Sequence, residues 1–235
     1  MKKFNKLFII LLCCIGAMSV TSCLNSDGDS GLTDEEREAY TNEIAGPYWG
    51  GGGKYTNMLL FTNEDLPDDK NNPYKVDTLR TNINGTLYTA PADVTDALPT
   101  FVINGVPGSI LAKELDENEH KWLKGALEQA PSKPIEGTFY VTNAYGSIIY
   151  LSCMTKNIEY KGLEYEGETH DVTMKFYNAT LGNYYVADLH KVVVIPMLMA
   201  VIEIDGGKEI VEIYNTSWGQ GDKYNAALMQ IVLCS

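Results

Sequence analysis

From Gly137 onward almost every residue falls into a short apolar or alternating run, and this regularity constrains the fold of the 235-residue chain more than any other feature. The runs cover 138–143, 147–155, 158–165, 171–181, 191–204, 209–214 and 227–233. They are rich in β-branched and aromatic residues and separated by turn residues, the signature of extended strands. Val172, Met174 and Phe176 alternate with Thr173, Lys175 and Tyr177, as in a sheet with one buried face. Asp205-Gly206-Gly207-Lys208 reads as a hairpin turn. The apolar stretch from Val192 to Ile202 contains Pro196 and is too short to cross a bilayer. It predicts a buried strand, bent or bulged at Pro196. A further strand is expected over 55–61.

Two helices are signalled. Thr33-Asp34-Glu35-Glu36 is a capping box with acids at the positive helix end, Tyr40 and Ile44 give the apolar stripe, and Gly46-Pro47 stops the helix. The second is expected between Asp116 and Ala130, capped by Asp116-x-x-Glu119, with Leu123, Ala126, Leu127 and Ala130 on one face. His120 falls within it. The expected fold class is therefore mainly antiparallel β, barrel-like or sandwich, with two short packed helices.

The chain opens with Lys2, Lys3 and Lys6, an apolar run from Leu7 to Met18, and Val20-Thr21-Ser22-Cys23. This order is that of a secretory signal, and the last four residues resemble a bacterial lipobox. Residues 1–22 are expected to be a lipoprotein signal peptide and Cys23 the acylated first residue of the mature chain, attached to the membrane without a spanning helix. The alternative is an ordinary signal cut near Ser22 that leaves Cys23 a thiol. Residues 23–31 are small and acidic and read as a flexible tether, and 32–235 as one β-rich domain.

Residues 1–22 hold three lysines and no acid, so from Cys23 onward 15 basic residues face 31 acidic ones, a formal charge of about −16. Such a surface is repelled by phosphate backbones, which excludes nucleic-acid binding, and membrane attachment falls to the acyl chains. After cleavage and acylation the remaining cysteines are Cys153 and Cys234. They are a candidate disulfide pair or two buried thiols. Neither a Cys-x-x-Cys nor a Cys/His cluster occurs, so zinc chemistry has no support, and no cofactor is expected.

Glu164, Glu166, Glu168 and His170 recur every second residue and would share one face of a single strand, a candidate cation site that is equally a solvated polar face. The Asp65, Asp68, Asp69, Asn71 and Asn72 loop lacks the order of a calcium loop. Tyr48, Trp49 and Tyr55 flank a run of four glycines, and with Trp218 they are candidate ligand-binding aromatics, able to stack on sugar rings or line an apolar cavity. Such aromatics also build β cores. No Gly-x-Ser-x-Gly, phosphate loop or His-Glu-x-x-His is present. An enzyme is thus less expected than a binding protein, although a carboxylate pair for glycan hydrolysis is set in space rather than in sequence.

With the lipobox and the capped helix leading into Ile44-Ala45-Gly46-Pro47-Tyr48-Trp49-Gly50, the chain resembles the lipocalin-like (calycin-like) lipoproteins of gut Bacteroidetes. Many of these begin with a short helix entering a Gly-x-Tyr-x-Gly strand. The segment from Ile110 to Leu127 and the β-rich second half fit one of their domains of unknown function. The resemblance implies a lipocalin-like fold and an outer-membrane location, with the membrane face open, since Asp27 and Asp29 match the family's surface-export signal only in part. It carries over Cys23 alone. Asp77-Thr78-Leu79 is similar to the O-glycosylation site of the same bacteria, which makes Thr78 a candidate acceptor. The expected function is a non-enzymatic, lipid-anchored envelope protein binding an apolar small molecule, a glycan or an envelope protein. The alternatives are a glycan-active hydrolase and a structural envelope component without a ligand.

Overall fold

The computed structural model describes residues 31–51, 55–63, 75–80, 83–112, 115, 120–212 and 228–235. Cys23, Trp218, the expected signal peptide, most of the expected tether, residues 65–72 and the expected cap residues Asp116 and Glu119 lie outside them. The described residues form one 13-stranded antiparallel sheet and three short helices. The strands are β1 Gly46–Tyr48, β2 Met58–Asn63, β3 Lys75–Arg80, β4 Asn84–Tyr88, β5 Thr100–Asn104, β6 Ile135–Tyr145, β7 Ile148–Thr155, β8 Ile158–Tyr165, β9 Glu168–Phe176, β10 Thr180–Ala187, β11 His190–Ile204, β12 Glu209–Glu212 and β13 Leu228–Cys234. The helices are α1 Asp34–Ile44, α2 Gly108–Leu111 and α3 Lys121–Gln129.

The main path runs β1-β4-β5-β6-β7-β10-β11-β13-β2-β3. It curls on itself. Paired residues lead from Tyr145 on β6 through Ile148, Tyr185 and Val192 to Cys234. There the Gly50 amide donates to the Cys234 carbonyl at 2.7 Å. From neighbouring Tyr48 the path continues through Gly85 and Ile103 to Ile135, the opposite end of β6. A circuit that returns displaced by nearly the whole strand has the stagger that tilted, barrel-like sheets need. Leu233 of β13 lies so close over Gly85 of β4 that a Cβ there would stand 2.4 Å from Leu233 Cδ1. No ladder joins β1 to β13. The fully buried Asn57 bridges them instead, its amide nitrogen donating to Tyr48 O (3.3 Å) and Ile83 O (2.9 Å) and its oxygen accepting from Cys234 N (2.7 Å). The inward face is one contiguous core that includes the rings of Tyr48, Phe101, Phe139 and Tyr184.

Strand β11 belongs to two parts of the sheet. Its first half pairs with β10 and β13, and its second half with β9 and β12, while β8 extends the sheet beyond β9. This division explains why the expected single strand over 171–181 is two. The chain breaks at Tyr177–Ala179 because β9 follows the far half of β11 and β10 the near half. The alternation in β9 is as the sequence predicts, with Val172, Met174 and Phe176 buried and Thr173, Lys175 and Tyr177 partly exposed. The turn at Asp205 joins β11 to β12. The irregularity expected at Pro196 lies instead between Met199 and Val201. Pro196 stays in register with Gln230, and its lack of an N–H costs nothing because the ladder with β10 stops at Asn183↔Val194. Beyond that point Thr180 Oγ donates to Pro196 O at 2.6 Å.

Helix α1 carries both reciprocal bonds of the capping box at Thr33 and Glu36. It is pinned by Arg37 Nε donating to Val141 O, the Arg37 guanidinium over the Tyr140 ring, and Tyr184 OH donating to Glu43. Lys191 Nζ and Tyr48 OH donate to the last carbonyls, Glu43 O and Ile44 O. The second expected helix begins late, at Lys121, with His120 as N-cap rather than inside it, and a one-turn α2 precedes it. Gly108 lets α2 touch α3, since a Cβ there would sit 2.3 Å from Leu127 O. Leu123 and Leu127 face the core as their spacing predicts.

The disulfide is not formed: Cys153 and Cys234 are both free and buried. Cys153 lies on β7 in the main core and Cys234 on β13 in a separate cluster with Met58, Val192, Val194 and Val232. Three strand spacings, about 14 Å, separate β7 from β13, twice the reach of a disulfide. Burial pushes the Cys153 thiol up to about 12 and Cys234 to about 11, so both are held as unreactive thiols.

Candidate functional site

The Gly51 amide donates to Tyr55 O at 2.9 Å, so the chain turns between β1 and β2, and Tyr55 lies in this turn rather than in a strand. A Cβ on Gly51 would stand 3.0 Å from His190 Cε1, which makes glycine the residue that admits the imidazole against the backbone. The Tyr55 ring stacks on His190, centroids 4.1 Å apart and planes 23° apart, and its hydroxyl donates to the Asp188 carboxylate. His190 Nδ1 bonds the main-chain oxygen of Ser235. An oxygen of that kind only accepts, so Nδ1 carries the proton and Nε2 is left as an acceptor in the neutral ring.

The turn that presents these groups is strained. Asp188 and Leu189 both hold positive φ, 50° and 72°, where a bulky side chain costs energy that glycine avoids. Leu189 is nonetheless 97% exposed. Trp49, one residue before Gly50, is 69% exposed and gains little from folding in that position. Tyr55, Asp188 and His190 thus bring a carboxylate and an imidazole nitrogen together, and the exposed indole of Trp49 precedes Gly50-Gly51 in the chain. Side chains of these types can hydrogen-bond hydroxyl groups and stack on an apolar ring face.

The aromatic candidates separate accordingly. Tyr55 belongs to this cluster, and Trp49 precedes its glycines in the chain. Tyr48 is a core residue, 1% exposed, with its hydroxyl spent on Ile44 O and its pKa raised mainly by burial. Asp188 and His190 are the additions from tertiary structure. They stand 133 and 135 residues from Tyr55, and the only local sign of them was a short polar turn before an apolar run.

The candidate cation residues occupy a hairpin, not one strand face. Glu164 is on β8, Glu166 is in the turn with φ 53°, and Glu168 and His170 are on β9. His170 Nδ1 instead bonds Asp205 Oδ2 at 3.0 Å, and its ring stacks on Tyr165. Asp205 Oδ1 accepts from the Asp171 amide at 2.9 Å, and Asp171 itself pairs with Lys161. Among the described residues no group of three or more His, Cys, Asp or Glu side chains is arranged to hold a metal ion.

The cluster ties the β8–β9 hairpin to the β11–β12 turn. Hydrogen bonds from the Asp171 amide and then from His170 hold the Asp205 carboxyl below its usual range. A depressed carboxylate stabilises the fold above its unfolded value near pH 4, and that contribution fades as pH falls through the lower folded value. Asp205→Asn is therefore expected to lower Tm at pH 7, and the gap from wild type should close as the pH drops below about 4. A Tm difference that is constant from pH 7 to pH 3 would rule this role out.

Thr78 lies on β3, with its side chain outside the description. Residues 52–204 match the family profile of a domain of unknown function, DUF4840. The matched span holds Tyr55, Asp188 and His190 and stops short of Asp205. No curated protein and no solved structure matches the chain.

Proposed function

The chain belongs to the DUF4840 family of domains of unknown function, and from that premise we propose that it is a lipid-anchored, non-enzymatic protein of the bacterial cell envelope that binds a glycan. The anchor is the acylated Cys23 and the membrane the outer membrane, on the order of the basic, apolar and lipobox segments. The staggered wrap of the sheet supports a lipocalin-like barrel of the kind found in Bacteroidetes lipoproteins. One observation carries the ligand class: the exposed Trp49 stands two residues before Gly51, the glycine against which His190 of the Tyr55–His190 stack is seated. The rings of Tyr48, Phe101, Phe139 and Tyr184 occupy the inside of the sheet, which favours an outer site over an interior apolar one.

A hydrolase reading needs a carboxylic acid whose pKa is raised. Asp171 and Asp205, which lie side by side, are both held below the usual range, Asp171 first by Lys161. That pair is built to stay ionised.

The test is thermal unfolding of the mature chain with oligosaccharides, fatty acids, bile acids, haem and divalent cations. A glycan that binds only the folded state adds about 2.7 kcal/mol at a hundredfold excess over its Kd. The shift is expected with glycans and is expected to vanish in Trp49→Ala. A response confined to fatty acids or bile acids, or none to any glycan, would overturn the reading.

A further inference from the structure

We propose that the end of the sheet formed by the β6–β7 and β10–β11 turns rests on the lipid bilayer, with Tyr145, Val186 and Leu189 as the contacting side chains; this rests on the lipid-anchor reading of Cys23. Three observations converge on it. The first is position. Tyr145 pairs with Ile148, Ile148 with Tyr185, and Ala187 with His190, so the two turns are neighbours at one end of the sheet.

The second is exposure without a packing reason. Tyr145 is 80%, Val186 51% and Leu189 97% exposed, and all three stand on or beside these turns. Leu189 also holds a φ of 72°. Glycine would fit that position without strain, so a protruding leucine there has a cost that folding alone does not offset. Apolar and aromatic side chains on a protruding tip are suited to the headgroup boundary of a bilayer, which takes up both rings and aliphatic groups.

The third is the length of chain before the domain. Leu32 already packs against the core, and α1 crosses this same end, held by Tyr184, Lys191 and Val141. From Cys23 to Leu32 the extended backbone reaches at most about 30 Å. The opposite tip, at Lys208, lies up to about 45 Å farther along β11. The anchor therefore holds the α1 end toward the membrane and the β11–β12 turn away from it. The formal charge of the chain points to a zwitterionic lipid surface rather than an anionic one.

The acylated full chain is reconstituted into phosphatidylcholine vesicles that carry a lipid-borne nitroxide quencher. A fluorophore is attached through Ser147→Cys in one sample and Lys208→Cys in another; both positions are exposed. The expected result is flotation with the vesicles, strong quenching at position 147 and little at 208. In the Leu189→Gly background, quenching at 147 should fall while Tm rises, a combination that a purely structural leucine would not produce. Flotation with equal quenching at both positions, or with none, overturns the facing and leaves the anchor standing. Failure to float overturns the anchor and the facing with it. Quenching absent at 147 together with concentration-dependent self-association would assign the tips to a second copy of the chain, and this too overturns the proposal.

Discussion

Replacing Asn57 with leucine is expected to cost about 3–5 kcal/mol, enough to unfold much of the population of a domain of ordinary stability. The side chain is 1% exposed and serves three buried main-chain groups, Tyr48 O, Ile83 O and Cys234 N, where no strand ladder reaches. Leucine keeps the branched side-chain skeleton but is bulkier and makes no hydrogen bond, so lost polar satisfaction is joined by overpacking. Each group left without a partner costs about 1–3 kcal/mol. Asn57→Asp separates the roles of the two amide atoms. The carboxylate still accepts from Cys234 N, but it faces two carbonyl oxygens that the amide had satisfied, so it should be no better tolerated than leucine. Urea unfolding checks both variants. A loss under about 1 kcal/mol for leucine would show that water or a shift of the backbone serves these groups as well as Asn57 does.

Gly137→Ala is expected to destabilise by about 3 kcal/mol through overpacking. Gly137 stands directly across from Phe101, whose ring fills the place of the missing side chain. A Cβ there would lie 2.2 Å from Phe101 Cζ and 2.4 Å from Met154 O. The first clash is with a side chain and the second with backbone. Adding Phe101→Leu to Gly137→Ala should therefore recover only part of the loss, and a double-mutant cycle gives the share. Full recovery would mean that the β6–β7 backbone yields freely at Met154. An unchanged Tm in Gly137→Ala alone would mean that the ring is not seated over the glycine.

How much was legible in the sequence depended on how local the cause was. The capping box at Thr33 and Glu36, the alternation of Val172, Met174 and Phe176, and the turn after Ile204 are set by residues within a few positions of one another. Each formed as read. β4 and β5 were not signalled, being five residues each, with β4 opening on Asn84-Gly85, a pair that reads as a turn. They are strands because β1, β6 and each other supply hydrogen-bonding edges. His120 moved from helix to cap because the spacing of apolar residues marks a helical face without marking where it starts.

The candidate site divides along the same line. Trp49 and Tyr55 could be marked by their place beside the glycine run. Asp188 and His190 could not, because stacking and hydrogen bonding across more than 130 residues leave no local pattern. The even spacing of Glu164, Glu166, Glu168 and His170 was real, yet it lost its meaning when Glu166 took the turn and His170 found Asp205. A period of two defines a shared face only while the strand runs on.

The sequence by itself determined that this chain is a β-rich domain with a capped entry helix and an acidic, Arg-poor surface, because period, capping chemistry and charge are sums over near neighbours. The tertiary structure alone decided that one strand, β11, serves two parts of the sheet, that Asn57 fastens the seam, that two cysteines stand too far apart to pair, and that Tyr55 meets Asp188 and His190. Those outcomes depend on which distant segments share a hydrogen-bonding edge, and loop closure makes that choice through the packing of the whole core, not through any short window of residues.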